Sequence, residues 1–198
     1  MDTIRIKRVF DRHNNIVCTR ELRAEGISAY DIKMLLERKQ IERIRRGYYQ
    51  WVGDEPVGEA VTITRLFPDA ILCMDTALRH YGYSDRTPGE WHLAVNRYCN
   101  RNRFSIPYPF IKPYYVQPDI LALGLCQQEM DGVPVRMYDK ERVICDCIRH
   151  RNKMDKEIFN KAIQNYIKDP MKSIPRLMEY AARLRVTTAV RDLIGVWL

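Results

Sequence analysis

Apolar positions near the start of the chain recur at helical spacing. Ile6, Val9 and Phe10 fall at i, i+3 and i+4 between Arg5, Lys7, Arg8 and Asp11, which predicts an amphipathic helix. His13-Asn14-Asn15 breaks the pattern, and Ile16-Val17-Cys18 reads as a short extended approach to a second helix, capped by Thr19 and running through Glu21 and Leu22 to Glu25. Gly26 ends it. Ser28 follows two residues later and stands three before Asp31, the spacing of a capping box with Asp replacing the usual Glu or Gln. The third helix opened there has Ile32, Leu35 and Leu36 facing inward and Tyr30, Lys33, Met34 and Glu37 facing outward, with Arg38 and Lys39 near its end. After Gln40 the pattern turns to β: residues 41–45 and 48–52, rich in β-branched and aromatic side chains, flank Arg46-Gly47 and predict a hairpin.

Gly53-Asp54-Glu55-Pro56 is a polar connector, and it divides an expected domain of residues 1–53 from a second of residues 57–198. In the second, residues 57–67 read as a helix stopped by Pro68-Asp69, 70–74 as a short buried strand, and 75–81 as a helix capped by Asp75. Extended segments are predicted at 90–95, 110–117, 120–126 and 133–138, the last two parted by a polar stretch ending in the turn pair Asp131-Gly132. From Asp139 onward the pattern is helical, in segments divided near Asn152, Asp169-Pro170 and Arg185. Strands before helices predict an α+β domain with a mostly antiparallel sheet and a helical C-terminal part.

Two helices joined by a glycine turn, the second of them capped, with a basic hairpin directly behind, make a winged helix-turn-helix, whose second motif helix can enter a major groove. Arg43, Arg45 and Arg46 sit at or near the tip of the wing, where exposed guanidinium groups reach phosphate or the adjacent minor groove. Tyr48 adds a phosphate hydrogen bond, while Tyr49 and Trp51 are expected to pack against the helices. The candidate DNA contacts are therefore Ser28, Tyr30, Lys33, Arg38 and Lys39 from the helix, and Arg43, Arg45, Arg46 and Tyr48 from the wing. Taken singly, each element is equally well a piece of a small folded domain with a solvated arginine face; their order and spacing favour DNA binding. A later stretch, residues 96–113, sets Arg97, Arg101, Arg103 and Lys112 among Tyr98, Phe104, Tyr108 and Phe110. It reads either as an accessory nucleic-acid surface or as a solvated loop kept irregular by Pro107, Pro109 and Pro113.

Charge supports the polyanion reading through its distribution. Of a net +8, residues 1–53 contribute a surplus of 5, from 12 Lys/Arg against 7 Asp/Glu. More than half the excess thus lies in about a quarter of the chain, where a nucleic-acid partner would be met. Hydrophobic residues at 46% remove the disorder reading. There is no apolar run of eighteen residues, and Asp2, Arg5, Lys7 and Arg8 interrupt the place where a signal peptide would be apolar, so a cytoplasmic protein without membrane contact is expected. The six cysteines contain no C-x-x-C pair and read as reduced thiols, with neither zinc nor any other cofactor expected. Asp139-Lys140-Glu141 and Asp155-Lys156-Glu157 open predicted helices and read as caps rather than metal-binding carboxylates. Without a Walker loop, an H-E-x-x-H or a G-x-S-x-G, no enzyme is expected.

The segment from Ile27-Ser28 through Leu36, followed by Ile41-Glu42-Arg43-Ile44-Arg45-Arg46-Gly47-Tyr48-Tyr49, resembles the N-terminal domain of the AbiEi-type antitoxins, transcriptional regulators of abortive-infection systems. Tyr138-Asp139-Lys140-Glu141-Arg142-Val143-Ile144-Cys145-Asp146 is similar to the family's segment at the start of its C-terminal helices. The resemblance implies a bacterial autorepressor that binds inverted repeats of double-stranded DNA in its own promoter, singly or as a pair. It further implies a nucleotidyltransferase-like toxin as functional partner, generally without a stable complex. Only Ser28 to Lys39 and Arg43 to Tyr48 inherit a role from it; Asp146, among Val143, Ile144, Cys147 and Ile148, suits a buried polar anchor. Two other readings stand beside this one: a nucleic-acid-processing enzyme targeted by the winged helix, and a protein-interaction adaptor that has lost DNA binding.

Overall fold

The computed structural model describes residues 2–53 and 56–195; Asp54 and Glu55 of the predicted connector lie outside them. The chain divides into two compact units, residues 1–68 with 105–109, and residues 69–104 with 110–198.

In the first unit, α1 (Thr3–Arg12) is capped by the Asp2 carboxylate, which accepts from the Arg5 N–H at 3.1 Å, and it buries Ile6, Val9 and Phe10. Asn14 and Asn15, both at positive φ, turn the chain into β1 (Ile16–Cys18). α2 (Thr19–Ala24) has its cap one residue earlier than predicted: Cys18 rather than Thr19 holds the N-cap position, and its N–H donates to the Glu21 carboxylate at 2.7 Å. α3 (Ala29–Glu37) carries the predicted box in full, Asp31 N–H donating to Ser28 Oγ at 3.1 Å and Ser28 N–H to Asp31 at 3.0 Å. β2 (Ile41–Arg45) and β3 (Tyr48–Trp51) form the expected antiparallel hairpin around Gly47, whose φ of +80° suits a residue without a side chain. The stretch read as a mere approach is a true strand: β1 pairs with β3, giving the order β1-β3-β2 among the described residues.

α4 (Glu59–Leu66), expected at the head of the second domain, packs in the first unit. Arg65 fixes it there. Its Nε donates to Ile16 O at 3.0 Å and its Nη2 to Glu21 at 2.7 Å, so one carboxylate joins the start of α2 to α4.

The second unit is built on β4 (Ile71–Leu72), α5 (Met74–His80), β5 (Trp91–Asn96), β6 (Ile111–Val116), α6 (Pro118–Leu121), β7 (Leu125–Met130) and β8 (Val133–Tyr138). α7 (Lys140–His150), α8 (Lys156–Lys168), α9 (Ile174–Arg183) and α10 (Thr187–Ile194) follow, with breaks where they were expected. Asp139 and Asp155 cap α7 and α8, and Cys73, not Asp75, is the N-cap of α5. The strand order is β6-β5-β4-β8-β7. The sheet is mixed rather than mostly antiparallel: β4–β5 and β7–β8 pair antiparallel, but β4–β8 and β5–β6 pair parallel. Residues 97–110 explain the second parallel pair, since they carry the chain back to the end where β5 began, which a hairpin turn would not do.

A second correction falls at 120–126. Pro118 opens the short helix α6 there, and the strand starts only at Leu125, running through the polar stretch that was read as a connection. Its residues alternate between half-buried and exposed, the signature of an edge strand solvated on one face. α7 is the hub of the unit, buried continuously from Glu141 to Ile148. The proline-containing segment 96–113 is irregular over much of its length, holding a 3-10 turn at Arg101–Phe104 and the first half of β6.

Candidate nucleic-acid interface

The polar face of α3 is what the helix-turn-helix presents. Burial of Ile32 and Leu35 leaves Tyr30, Lys33 and Glu37 on the opposite side, with the Tyr30 ring 69% exposed. Lys33 lies 3.7 Å from Glu37, a loose exposed pair one helical turn apart. Arg38 is the C-cap, and Lys39, at φ +53°, turns the chain toward β2; both are exposed. Met34, expected outward, is half-buried. The Ser28 hydroxyl is engaged in its cap, donating to Asp31 at 2.6 Å, and these bonds hold the Asp31 carboxyl below the usual carboxylate range. Ser28 therefore sets where α3 begins, with its own proton already placed.

The wing divides its arginines. The β2–β3 register slips between Arg43 and Arg45, so that Arg43 faces Tyr49 and Arg45 faces Tyr48 with Ile44 set out of the ladder. Arg43 and Arg46 are exposed, and neither has a carboxylate partner among the described residues. Arg45, expected to be exposed beside them, is half-buried instead. Its Nη2 donates to Leu66 O at 2.5 Å, and its guanidinium lies over the rings of Tyr48 at 4.2 Å and Phe67 at 4.9 Å. Tyr48 is half-buried in the same stack. The reason is α4: a wing read without the helix that follows it leaves these two side chains in solvent, whereas the C-terminal end of α4 claims them.

Behind this face, Tyr49 is buried, and Trp51 packs half-buried with its ring centroid 5.4 Å from that of Phe10, as expected of the pair. Arg5, Lys7 and Arg12 of α1 engage Glu25 or Asp11. The end of α3 and the wing carry the exposed cations Arg38, Lys39, Arg43 and Arg46, and α1 and α2 add Arg8, Arg20 and Arg23, charges of the kind a phosphate backbone meets. Burial pulls the Glu21 carboxyl upward, but the Cys18 N–H and the Arg65 guanidinium outweigh it and leave it below the usual range, a charged brace under α2.

An exposed helix flanked by a basic hairpin is the shape that reads a major groove while gripping phosphate alongside. Residues 5–51 match the family model described as Transcriptional regulator, AbiEi antitoxin. The matched stretch runs from within α1 to the end of β3, so it coincides with the winged helix and stops short of α4. Over those residues the first unit is thus similar to the regulator domain that this model describes. No curated protein matches the chain.

Beyond this domain, Asp146 occupies the buried position foreseen for it, 7% exposed and paired to Arg142 at 2.9 Å. That pair was legible only by half: Arg142 stands one helical turn before Asp146 in an apolar run, yet the sequence reading left it without a partner. Among the described residues, no three His, Cys, Asp or Glu side chains gather as a metal site, and no helix is long and apolar enough to cross a membrane.

Proposed function

We propose that this chain is a sequence-specific DNA-binding autorepressor and the antitoxin of a bacterial abortive-infection operon, binding inverted repeats in its own promoter. The observation that carries this reading is the coincidence of the matched segment with a winged helix that exposes Arg38 and Lys39 at the end of α3 and Arg43 and Arg46 on its hairpin. In this reading α3 enters the major groove through Tyr30 and Lys33, Arg38 and Lys39 meet phosphate, and Arg43 and Arg46 grip the backbone or minor groove beside it. Arg45, Tyr48 and Ser28 hold the reading elements in place. The second unit serves as the antitoxin domain against a nucleotidyltransferase-like toxin in the cytoplasm, without a lasting complex. Two inverted half-sites take two copies of the chain.

Fluorescence anisotropy with a duplex carrying the repeats upstream of the gene, against a scrambled duplex, tests the proposal. Binding to the former is expected to be far tighter, with log K falling by about 0.9 per neutralised phosphate for each decade of salt. The double variant Arg43→Ala/Arg46→Ala should weaken binding at least about tenfold and flatten that slope by up to about 1.8. Equal affinity for the two duplexes removes the specific-regulator reading.

A further inference from the structure

The second unit contains a cavity of about 310 Å³ that the regulator reading does not use. Its wall includes Arg97, Arg101, Arg142 and Arg149, with Asp146 as the carboxylate among them. Arg142 is fully buried and held on most sides. Nε donates to Asp146 at 2.9 Å, Nη1 donates to Ile120 O at 2.7 Å and Leu123 O at 2.8 Å, and the guanidinium lies 4.2 Å over the Tyr138 ring. Gly124 makes room for it: a Cβ there would come within 2.5 Å of Arg142 Cβ, at a φ of +75°. What remains is Nη2, buried and without a hydrogen-bond partner among the described residues. A rigidly held guanidinium with one edge unsatisfied is a costly thing to fold around, and Arg142 is also one of the residues that line the cavity.

The rest of the wall says which ligand. Arg97, Arg101 and Arg149 are exposed, so the cavity mouth is strongly positive, while Arg142 and Asp146 compensate each other behind it. Arg101 lies 4.6 Å over the Tyr115 ring, and the Tyr114 ring is in edge contact with His150, giving a flat aromatic and cationic side to the same space. Burial holds the His150 imidazole below its ordinary value, so that side presents a ring and not a further fixed charge. Arginine forks match phosphate oxygens in twos, and an arginine-backed tyrosine offers a stacking face. The volume is at the small end of ligand sites, which run from about 300 to 1,000 Å³.

From this geometry we propose that the second unit binds a small nucleoside phosphate, its phosphate group on the mouth arginines in front of Arg142 and its base against Tyr115. The site lies wholly within the second unit and does not depend on DNA binding by the first.

Isothermal titration of the full chain with ATP, GTP and AMP, with adenosine, inorganic pyrophosphate and a single-stranded oligonucleotide as controls, tests it. The expected result is saturable one-to-one binding of at least one nucleotide, at least tenfold tighter than adenosine or pyrophosphate. Arg97→Ala/Arg101→Ala, at exposed positions, should weaken it tenfold or more with an unchanged melting profile, while Arg43→Ala/Arg46→Ala on the wing leaves it intact. Arg142→Lys probes the buried edge directly; the exposed pair decides the matter should that variant fail to fold. No saturable binding at millimolar nucleotide, binding no tighter than to pyrophosphate, preference for the oligonucleotide, or equal loss in the wing variant overturns the proposal.

Discussion

In the first unit Arg43 and Arg46 stand in solvent at a hairpin, where their charge costs nothing to keep; in the second, Arg142 lies buried on α7 between the α6–β7 connection and β8, bonded to a carboxylate and two carbonyls. The same side chain is used for reach in one place and for architecture in the other. Arg45 belongs to the architectural kind although it sits between the two exposed ones in the chain, so neighbourhood in sequence is no guide to which use applies. Desolvation decides: a guanidinium taken out of water must find its partners within the fold, and removing a partner then costs far more than deleting a solvated charge.

The contrast can be broken most severely at Asp146. Asp146→Ala leaves Arg142 buried beside no counter-charge and should lower stability by about 3–5 kcal/mol, read as a fall in the urea midpoint. An effect under about 1 kcal/mol would mean that water reaches the pair. His92 tests the same desolvation without an ion pair. Burial pushes its imidazole down to about 4, although Asp75 lies 4.0 Å from Nε2, and its Nδ1 accepts from the Asp75 N–H at 3.3 Å. The unfolded chain therefore binds a proton that the folded one refuses. Stability is fully present above about pH 6.5 and is lost as pH falls toward 4, by up to about 3 kcal/mol. Melting of His92→Gln should lack that portion of the pH dependence.

Smaller effects separate the wing arginines. Arg45→Ala removes the bond to Leu66 O and two ring contacts and should cost about 2 kcal/mol in thermal unfolding. Arg43→Ala/Arg46→Ala should stay within about 0.5 kcal/mol of the parent in the same measurement. Should Arg45→Ala prove equally silent, the division of the wing into reading and bracing residues would be wrong.

Local signals in the first unit were strong enough to read. The Ser28–Asp31 box, the turn at Gly26 and the Arg46-Gly47 hairpin each specify their own geometry within a few residues, and all three formed as expected. What escaped was long-range. β1 is a strand because β3 lies beside it, and Arg45 is enclosed because α4, some twenty residues on, folds back over it. In the second unit β7 was missed for a related reason: Gln127, Gln128 and Glu129 look like a loop until the strand is seen to lie at a sheet edge, where one polar face is normal. The cavity left no local trace, since its arginines are spread from position 97 to position 149 and converge only in the fold.

The slip in register on β2 has a bearing on how copies of this protein avoid each other. β2 is an outer strand of its sheet, and a straight outer strand is an open invitation for another chain to extend the sheet by one more row. The slip bends that border, and the charged Glu42 and Arg43 populate it. Two copies of the chain brought together would therefore find no ready seam there along which to fuse.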